Sequence, residues 1–348
     1  MSRPLITGER PGPARAAPRW PGSAVAVAAL ALPVATLAGG TSALASAGTA
    51  SRPGYSVTAT IHVGKAPFGV AVDPSAGRLY VSNEGSRTVS VVSMASNQVI
   101  ATIGVGKGAQ GMAVDPIAHR AYVANAGSGT VSVINTATDK VTTTIKVRRS
   151  PVDVALDTGT RRAYVTDLGS FTVSVINTAT NKVIATIKVG RAPAGVAVDP
   201  SARRAYVANI GSGTVSVINT ATNKLAATIR VGPHLEIVAV DPVTRRAYVG
   251  SLHDGFLAVI NTRTNAVSAT VPLRRGLVAV ALDPVRGRVF VGNEYRDTVS
   301  VINTATNRLT ATIRVGRDPG LVAVNPRTGK AYVANFGSRT VSVITPGS

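Results

Sequence analysis

Two short segments of the sequence carry the residues best suited to acid–base or metal chemistry. The first segment is GPHLEI at 232–237, where other repeats have sequences such as GRAPAG. The second is SLHDGF at 251–256, where other repeats have sequences such as NIGSGT. They supply two histidines and two acids: His234, Glu236, His253 and Asp254. Imidazole and carboxylate groups together can transfer a proton or ligate a metal ion. Their spacing fits no ligand motif, so we expect no metal site, and a catalytic role is the alternative interpretation.

A glycine-rich sequence satisfies the dinucleotide-binding pattern without its structural context. GKGAQG at 106–111 has the GxGxxG spacing, but MAVDP follows it and predicts a strand. No helix N-terminus would therefore be available to bind a pyrophosphate. The chain also contains no GxSxG, HExxH or Walker A sequence and no cysteine. We expect no cofactor, and a non-catalytic function is favoured over an enzymatic one.

The elements that position these residues come from a 42-residue unit that repeats seven times between residues 55 and 348. Each unit predicts four strands: A around GVAVD, B around AYVAN, C around TVSVIN and D around KVIATIKV. Four short strands in a repeat of this length are typical of a propeller blade. The sequence therefore predicts an all-β, seven-bladed β-propeller. An aromatic residue of strand B is expected to pack between neighbouring blades, and it recurs at Tyr80, Tyr122, Tyr164, Tyr206, Tyr248, Phe290 and Tyr332.

The two ends of the repeat region predict how the ring closes. The last unit stops at TVSVITPGS without a D strand, whereas the first begins with YSVTATIHV, a spare copy of that strand. Pairing the first strand with the last unit would complete the seventh blade and remove exposed sheet edges. We divide the chain into a leader at 1–47, a linker at 48–54 and the propeller at 55–348.

A ring of basic residues is predicted on one face of the propeller. The D-to-A and B-to-C loops lie at one end of each blade, here called the top face, and the A-to-B and C-to-D turns form the bottom face. One cation recurs in six of the seven D-to-A loops, and no acidic residue recurs beside it. Such charges attract carboxylate, sulfate or phosphate groups; the alternative is that they are solvated loop charges without a ligand. The six residues are Lys65, Lys107, Arg149, Arg191, Arg275 and Arg317.

Five further aromatic residues sharpen this expectation. They remain after Tyr55 and the strand-B rings are set aside, and all five are expected in top loops. Rings among cations can stack on sugars or bases; the alternative is that they plug the mouth of the channel against one another. They are Phe68, Phe171, Phe256, Tyr295 and Phe336.

The bottom face is more uniform. A cation precedes strand B in every unit, as at Arg78 and Arg204, and a turn aspartate lies a few residues before it in six units, as at Asp73 and Asp199. We expect a local ion pair or turn brace between the two, which indicates a structural role.

Several of these repeats resemble a known family. YVTD at 164–167, YVAN and YVSN in other units, and GSGTVSVINTAT at 127–138 and 211–222 resemble the YVTN family of β-propeller repeats. The resemblance covers the chain after the leader. It implies a secreted or surface-layer propeller, while more distant propeller lyases and lactonases supply the enzymatic alternative through His234, Glu236 and His253.

The leader and the overall charge indicate where the protein works. Four arginines precede SAVAVAALALPVATLAGG, and ALASAG follows, which is typical of a secretory signal; a retained N-terminal anchor is the alternative. The formal net charge is +21. Such a charge favours anionic partners such as cell-wall polymer or acidic polysaccharide, with nucleic acid less favoured. The sequence thus predicts a secreted or cell-surface, monomeric binding propeller for an anionic polymer or a protein partner.

Overall fold

The computed structural model describes residues 54–347 of the chain. The predicted leader at 1–47 and the linker before residue 54 lie outside the described residues. These residues form 28 strands and no helix, and β1 (Tyr55–His62) precedes the seven blades.

Blades one to four each contain four consecutive antiparallel strands. Blade one has β2 (Pro67–Asp73), β3 (Arg78–Asn83), β4 (Thr88–Ser93) and β5 (Gln98–Gly104). Blade two has β6 (Ala109–Asp115), β7 (Arg120–Asn125), β8 (Thr130–Asn135) and β9 (Lys140–Lys146). Blade three has β10 (Pro151–Asp157), β11 (Arg162–Asp167), β12 (Thr172–Asn177) and β13 (Lys182–Lys188). Blade four has β14 (Pro193–Asp199), β15 (Arg204–Asn209), β16 (Thr214–Asn219) and β17 (Lys224–Arg230).

Blades five and six follow the same plan, and blade seven takes its outer strand from the start of the chain. Blade five has β18 (Leu235–Asp241), β19 (Arg246–Ser251), β20 (Phe256–Asn261) and β21 (Ala266–Pro272). Blade six has β22 (Leu277–Asp283), β23 (Arg288–Asn293), β24 (Thr298–Asn303) and β25 (Arg308–Arg314). Blade seven has β26 (Pro319–Val324), β27 (Ala331–Asn335), β28 (Thr340–Pro346) and β1.

The blades form a closed ring around their A strands. Each A strand contacts the A strands of both neighbouring blades, and β2 contacts β26 as well as β6. The B and C strands are buried on both sides because a blade lies on each of their faces. Every strand-B aromatic side chain is at most 1% exposed, as expected for a residue that fills the interface between blades. The predicted seven-bladed propeller is therefore confirmed.

The closure of the ring follows the prediction in detail. β1 pairs antiparallel with β28, with Tyr55 opposite Pro346 and His62 opposite Thr340. The ring of Tyr55 contacts Phe290 of blade six edge to face, with centroids 5.6 Å apart. The first residues of the propeller thus complete the last sheet and pack on the blade before it.

The outer D strands share a β-bulge that alters their exposed edges. In blade one Val91 lies opposite Ala101 but Val92 lies opposite Val99, so Ile100 has no partner in the ladder. The same shift occurs in blades two to six. A bulge bends a strand and disrupts the regular row of free backbone groups that would otherwise pair with another sheet.

In blades one to five the bottom-face arginines reach the next blade, so the local ion pair expected there is wrong. In blade six Arg288 instead donates to the carbonyls of Arg286 and Gly287 and braces its own turn, which was the other expectation. Arg78 donates from Nη1 to the carbonyl of Thr136 in blade two at 2.7 Å, and it pairs with Asp139 at 3.1 Å. Asp73 instead accepts from the backbone N–H groups of Ser75 and Ala76 in its own turn, both at 3.0 Å. Because the aspartate caps its turn, the long guanidinium is free to reach the next blade.

We expect Arg204→Ala to lower the free energy of unfolding by about 1 to 2 kcal/mol, because the carbonyl of Thr262 would lose a charged donor. Arg204 donates to that buried carbonyl at 2.6 Å. Denaturation with guanidinium chloride measures the change. Arg203→Ala, one residue earlier and exposed, is the control and should shift stability by at most about 0.5 kcal/mol. Equal effects of the two substitutions would contradict the bridging role.

Candidate functional site

The top face is built from pairs of loops that hold one another. In blade one the D-to-A loop accepts two backbone hydrogen bonds from the B-to-C loop: Glu84 donates to Ala66 at 2.9 Å and Gly85 donates to Lys65 at 3.0 Å. The N–H of Lys65 donates in return to Ser86 Oγ at 2.7 Å. Ala66 has a φ of 51°, so the backbone turns sharply just after the cation. This pairing fixes the backbone of Lys65 over the blade and leaves its side chain exposed.

The same arrangement presents most of the predicted cations in equivalent positions. In five blades the backbone N–H of the cation donates to a serine hydroxyl of the B-to-C loop at 2.6 to 3.0 Å. All six cationic side chains are exposed. Among residues 54–347 the ion pairs are Arg78–Asp139, His234–Asp254 and Arg286–Asp283, and none of them uses these six cations. The structure therefore displays six positive charges on one face without acidic partners in the described chain.

Blade six holds its cation differently. The N–H of Gly276 donates to the carbonyl of Leu252 in blade five at 2.6 Å, so the loop that carries Arg275 leans toward that blade. Gly276 has a φ of 97°, and a Cβ there would lie 2.9 Å from Cγ of Tyr295. Glycine at this position therefore allows the tyrosine ring to lie directly on the loop.

The structure divides the five predicted aromatic residues into two groups. Phe171 and Tyr295 lie in B-to-C loops with 43% and 54% of their surface exposed, and they are open to a ligand. Phe336 also lies in a B-to-C loop and is half-buried. The expectation of a top loop is wrong for Phe68, which lies in β2 and packs in the core at 6% exposed, and for Phe256, which begins β20. In both cases the strand starts earlier than the loop pattern suggested, and the ring turns toward apolar neighbours.

Two arginines that the sequence reasoning missed reinforce the exposed rings. Arg148 and Arg274 stand where all five other D-to-A loops have glycine, and both are exposed. Each precedes a predicted cation, so blades three and six carry paired arginines in the loop next to Phe171 and Tyr295 respectively. The sequences RRS and RRG were the available signal. Guanidinium groups beside an aromatic face are suited to hold an anionic, ring-bearing ligand.

Arg148 also compensates a buried acid. Asp167 of β11 stands where five other blades have asparagine; it accepts from Ser174 Oγ at 2.7 Å and from Thr172 Oγ1 at 3.1 Å. Burial raises its pKa to about 6, whereas the hydroxyl groups, the backbone N–H of Arg148 and the positive charge of Arg148 act in the opposite direction. The loop arginine and the buried carboxyl are therefore electrostatically coupled.

Three of the four blade-five residues come together on the top face. His234 Nδ1 lies 3.0 Å from Asp254 Oδ2, and the two histidine rings contact edge to face with centroids 4.8 Å apart. His253 Nδ1 lies 3.4 Å from the hydroxyl of Tyr295. The hydrogen bond from His234 lowers the pKa of Asp254. This exposed cluster can exchange protons with solvent and can bind a polar ligand.

Glu236 lies outside this exposed cluster. It belongs to β18 and is fully buried.

The hydroxyl groups beside the cluster have different partners. Burial together with the nearby charges of Glu294 and Glu236 raises the pKa of Tyr295, so the tyrosine hydroxyl keeps its proton and can donate it. Ser251 Oγ lies 2.9 Å from Asp254 Oδ2. Ser251 therefore contacts a carboxylate directly. In the Ser–His–Asp arrangement of nucleophilic catalysis the serine contacts an imidazole instead.

Two kinds of feature are absent from residues 54–347. No group of three or more histidine, aspartate or glutamate side chains in this range is arranged to hold a metal ion. The same range contains no helix with the length and apolar character needed to span a membrane.

The fold and the loops define the class of the protein as a seven-bladed β-propeller with a basic top face. A chain of Kuenenia stuttgartiensis hydrazine synthase is similar to it, with a TM-score of 0.73 and 20% sequence identity over 80% of this chain and 95% of that chain. At this identity the similarity shows the fold alone. No protein-family model and no curated protein matches the chain, so the resemblance to YVTN repeats is not confirmed beyond the propeller itself.

Proposed function

We propose that this protein is a secreted or cell-surface propeller that binds an anionic polymer, such as an acidic polysaccharide or cell-wall polymer, through its top face and without catalysis. The observation that carries the proposal is the set of six exposed cations with fixed backbones and no ion-pair partners among residues 54–347. A polymer with regularly spaced charges can contact several of them at once, and each weak contact raises the effective concentration for the next.

The exposed rings give this surface a preference for a ligand with flat or cyclic groups. Phe171 and Tyr295 lie in blades three and six, beside the loops with paired arginines. Sugars can stack on such rings while their carboxylate or sulfate groups contact the guanidinium groups. An acidic polysaccharide therefore fits the surface better than a simple inorganic anion.

The proposal is tested by reversing charge at Lys107, Arg149, Arg191 and Arg275 together. Binding to heparin and to alginate is measured by calorimetry or surface plasmon resonance at about 50 and 500 mM salt, since the contribution of exposed charges is screened at the higher concentration. We expect the wild-type protein to bind at low salt, and the variant to bind at least about tenfold more weakly.

The matched control changes the same number of charges on the bottom face, at Arg161, Lys182, Arg203 and Lys224, all of which are exposed. Both variants have the same net charge, so general electrostatic attraction is equal in the two. If the control loses as much affinity as the top-face variant, or if the wild type binds neither polymer, the proposed surface is wrong.

The histidine cluster of blade five supports a second candidate, an enzyme of the propeller lyase or lactonase kind. The observation in its favour is that His234 contacts Asp254 at 3.0 Å, His253 contacts Tyr295 at 3.4 Å, and the two histidine rings meet edge to face. A screen of uronic-acid polymers and lactones for turnover tests it. Activity that falls about a hundredfold or more in the variant His234→Ala/His253→Ala would establish this candidate, and full activity in that variant would eliminate it.

A further inference from the structure

A cleft on the bottom face of blade five collects three arginines. Its volume is about 320 Å³, and it lies on the opposite face of the propeller from the proposed polymer surface. Its lining residues are Thr244, Arg245, Arg246, Asn261, Arg263 and Ser268.

Two adjoining turns position the arginines. Arg245 ends the turn between β18 and β19 and Arg246 begins β19, while Arg263 lies in the turn between β20 and β21. The N–H of Thr262 donates to the carbonyl of Arg245 at 3.0 Å, which joins the turns. The N–H of Arg263 donates to Asn261 Oδ1 at 2.9 Å, which fixes the second turn beneath its own side chain. The backbone of the cleft is therefore set by hydrogen bonds that leave two guanidinium groups unused.

The three arginines of the cleft outnumber the one acid of its two turns. Asp241 is the acid of the first turn, and it accepts from the N–H of Val243 at 2.9 Å and from Thr244 Oγ1 at 2.8 Å. Arg246 donates one N–H to the carbonyl of Thr304 in blade six. The side chains of Arg245 and Arg263 form no hydrogen bond and no ion pair with residues 54–347. Three neighbouring cations repel one another unless an anion lies among them.

Comparison with the other blades shows that the third arginine is an addition to the repeat. Blade four has the same turn pair at Arg203 and Arg204, but it has Ala221 where blade five has Arg263. Alanine also stands at this position in the other blades that contain a C-to-D turn, at 95, 137, 179 and 305. The C-to-D turn forms with alanine at this position in five blades, so the turn does not require arginine. Arg263 therefore adds a positive charge to the cleft that the fold does not need.

We infer that this cleft is a binding site for a tetrahedral oxyanion, the phosphate or sulfate group of a ligand. Each guanidinium offers a planar set of N–H donors that matches two oxygens of such a group. The side chain of Asn261 lines the same cleft, and its Nδ2 group can donate to the ligand, whereas the hydroxyl of Thr244 already donates to Asp241. The cleft volume is at the lower end of the range for small-molecule sites, so it accommodates the oxyanion together with a small substituent. This site is independent of the proposed top-face function.

Titration with inorganic phosphate, inorganic sulfate and acetate by isothermal calorimetry at low ionic strength tests the inference. We expect the wild type to bind one equivalent of phosphate and of sulfate, and to bind the monoanion acetate more weakly. Arg263→Ala should weaken phosphate and sulfate binding by about tenfold or more. It restores the residue of the other blades, so the fold is expected to be retained, and circular dichroism checks this.

Two further variants make the result specific to the cleft. Arg203→Ala removes one charge from the same face of blade four, where no third arginine exists, and it should leave binding unchanged. Ala221→Arg, placed in the Arg263→Ala protein, should create an equivalent site in blade four and restore binding. The inference is overturned if phosphate and sulfate do not bind saturably, if acetate binds as tightly as they do, or if Arg263→Ala and Arg203→Ala behave alike.

Discussion

Deletion of residues 55–62 is expected to lower the thermal midpoint by about 10 °C or more, which corresponds to about 5 kcal/mol of lost stability in a domain of this size. The deletion removes β1, which forms the whole outer strand of blade seven. Ile61 is 4% exposed, and Tyr55, Val57 and Ala59 pack against the same core cluster. Each buried apolar side chain contributes to stability in proportion to the area it removes from water.

The deletion should also expose a new sheet edge. β28 would lose its partner and present an unpaired row of backbone groups to solvent. We therefore expect association of the truncated protein, detected by size-exclusion chromatography with light scattering. A chain that begins at residue 55 is the control, because it keeps β1. If the chain that begins at residue 63 melted at the same temperature as this control and had the same mass, closure by β1 would not stabilise the ring.

Asp167→Asn is expected to stabilise the protein at neutral and alkaline pH. The pKa of this carboxyl rises from 3.8 to about 6 in the folded chain, so its ionisation opposes folding. The wild type is therefore most favoured below about pH 4 and loses up to about 3 kcal/mol as the pH rises through 6. The variant has no group to ionise. Its advantage should be small near pH 4 and reach its full size near pH 8.

The reciprocal substitution provides the control. Asn125 occupies the equivalent place in blade two, where its amide donates to Ser132 Oγ at 2.9 Å, and Gly106 replaces the loop arginine. We expect Asn125→Asp to destabilise the protein more at pH 8 than at pH 4. The destabilisation should exceed the cost of Asp167 in blade three, since Gly106 carries no charge in the place of Arg148. Urea denaturation at both pH values measures these differences. Equal changes at the two pH values would show that burial does not control the charge.

The ring could be predicted from the sequence because seven copies of one pattern all indicate the same four strands. The one strand-B aromatic residue that is not tyrosine, Phe290, also has a physical reason. Phe290 lacks the hydroxyl that in Tyr122 and Tyr164 reaches a threonine carbonyl of the next blade at 3.4 Å. Blade seven has no C-to-D turn to supply that carbonyl, and Tyr55 lies against the ring instead.

The candidate sites were less accessible to sequence reasoning because their contacts cross between blades. The partner of Arg204 is 58 residues further along the chain, in the next blade, so a search within one repeat finds only the nearby aspartate. Phe68 and Glu236 follow loop sequences but lie one residue inside their strands, and that single position decides whether each side chain is buried or exposed. A repeat pattern locates strands well and locates their first residues less precisely.

The pairing of β1 with β28 has a consequence for the order in which the protein folds. Thr58 Oγ1 lies 2.8 Å from Thr345 Oγ1, although 287 positions separate them in the chain. β1 must wait until β28 has been synthesised, so the ring cannot close before that point. The inner blades can assemble from neighbouring hairpins in the meantime, so we expect the pairing of β1 with β28 to follow their formation.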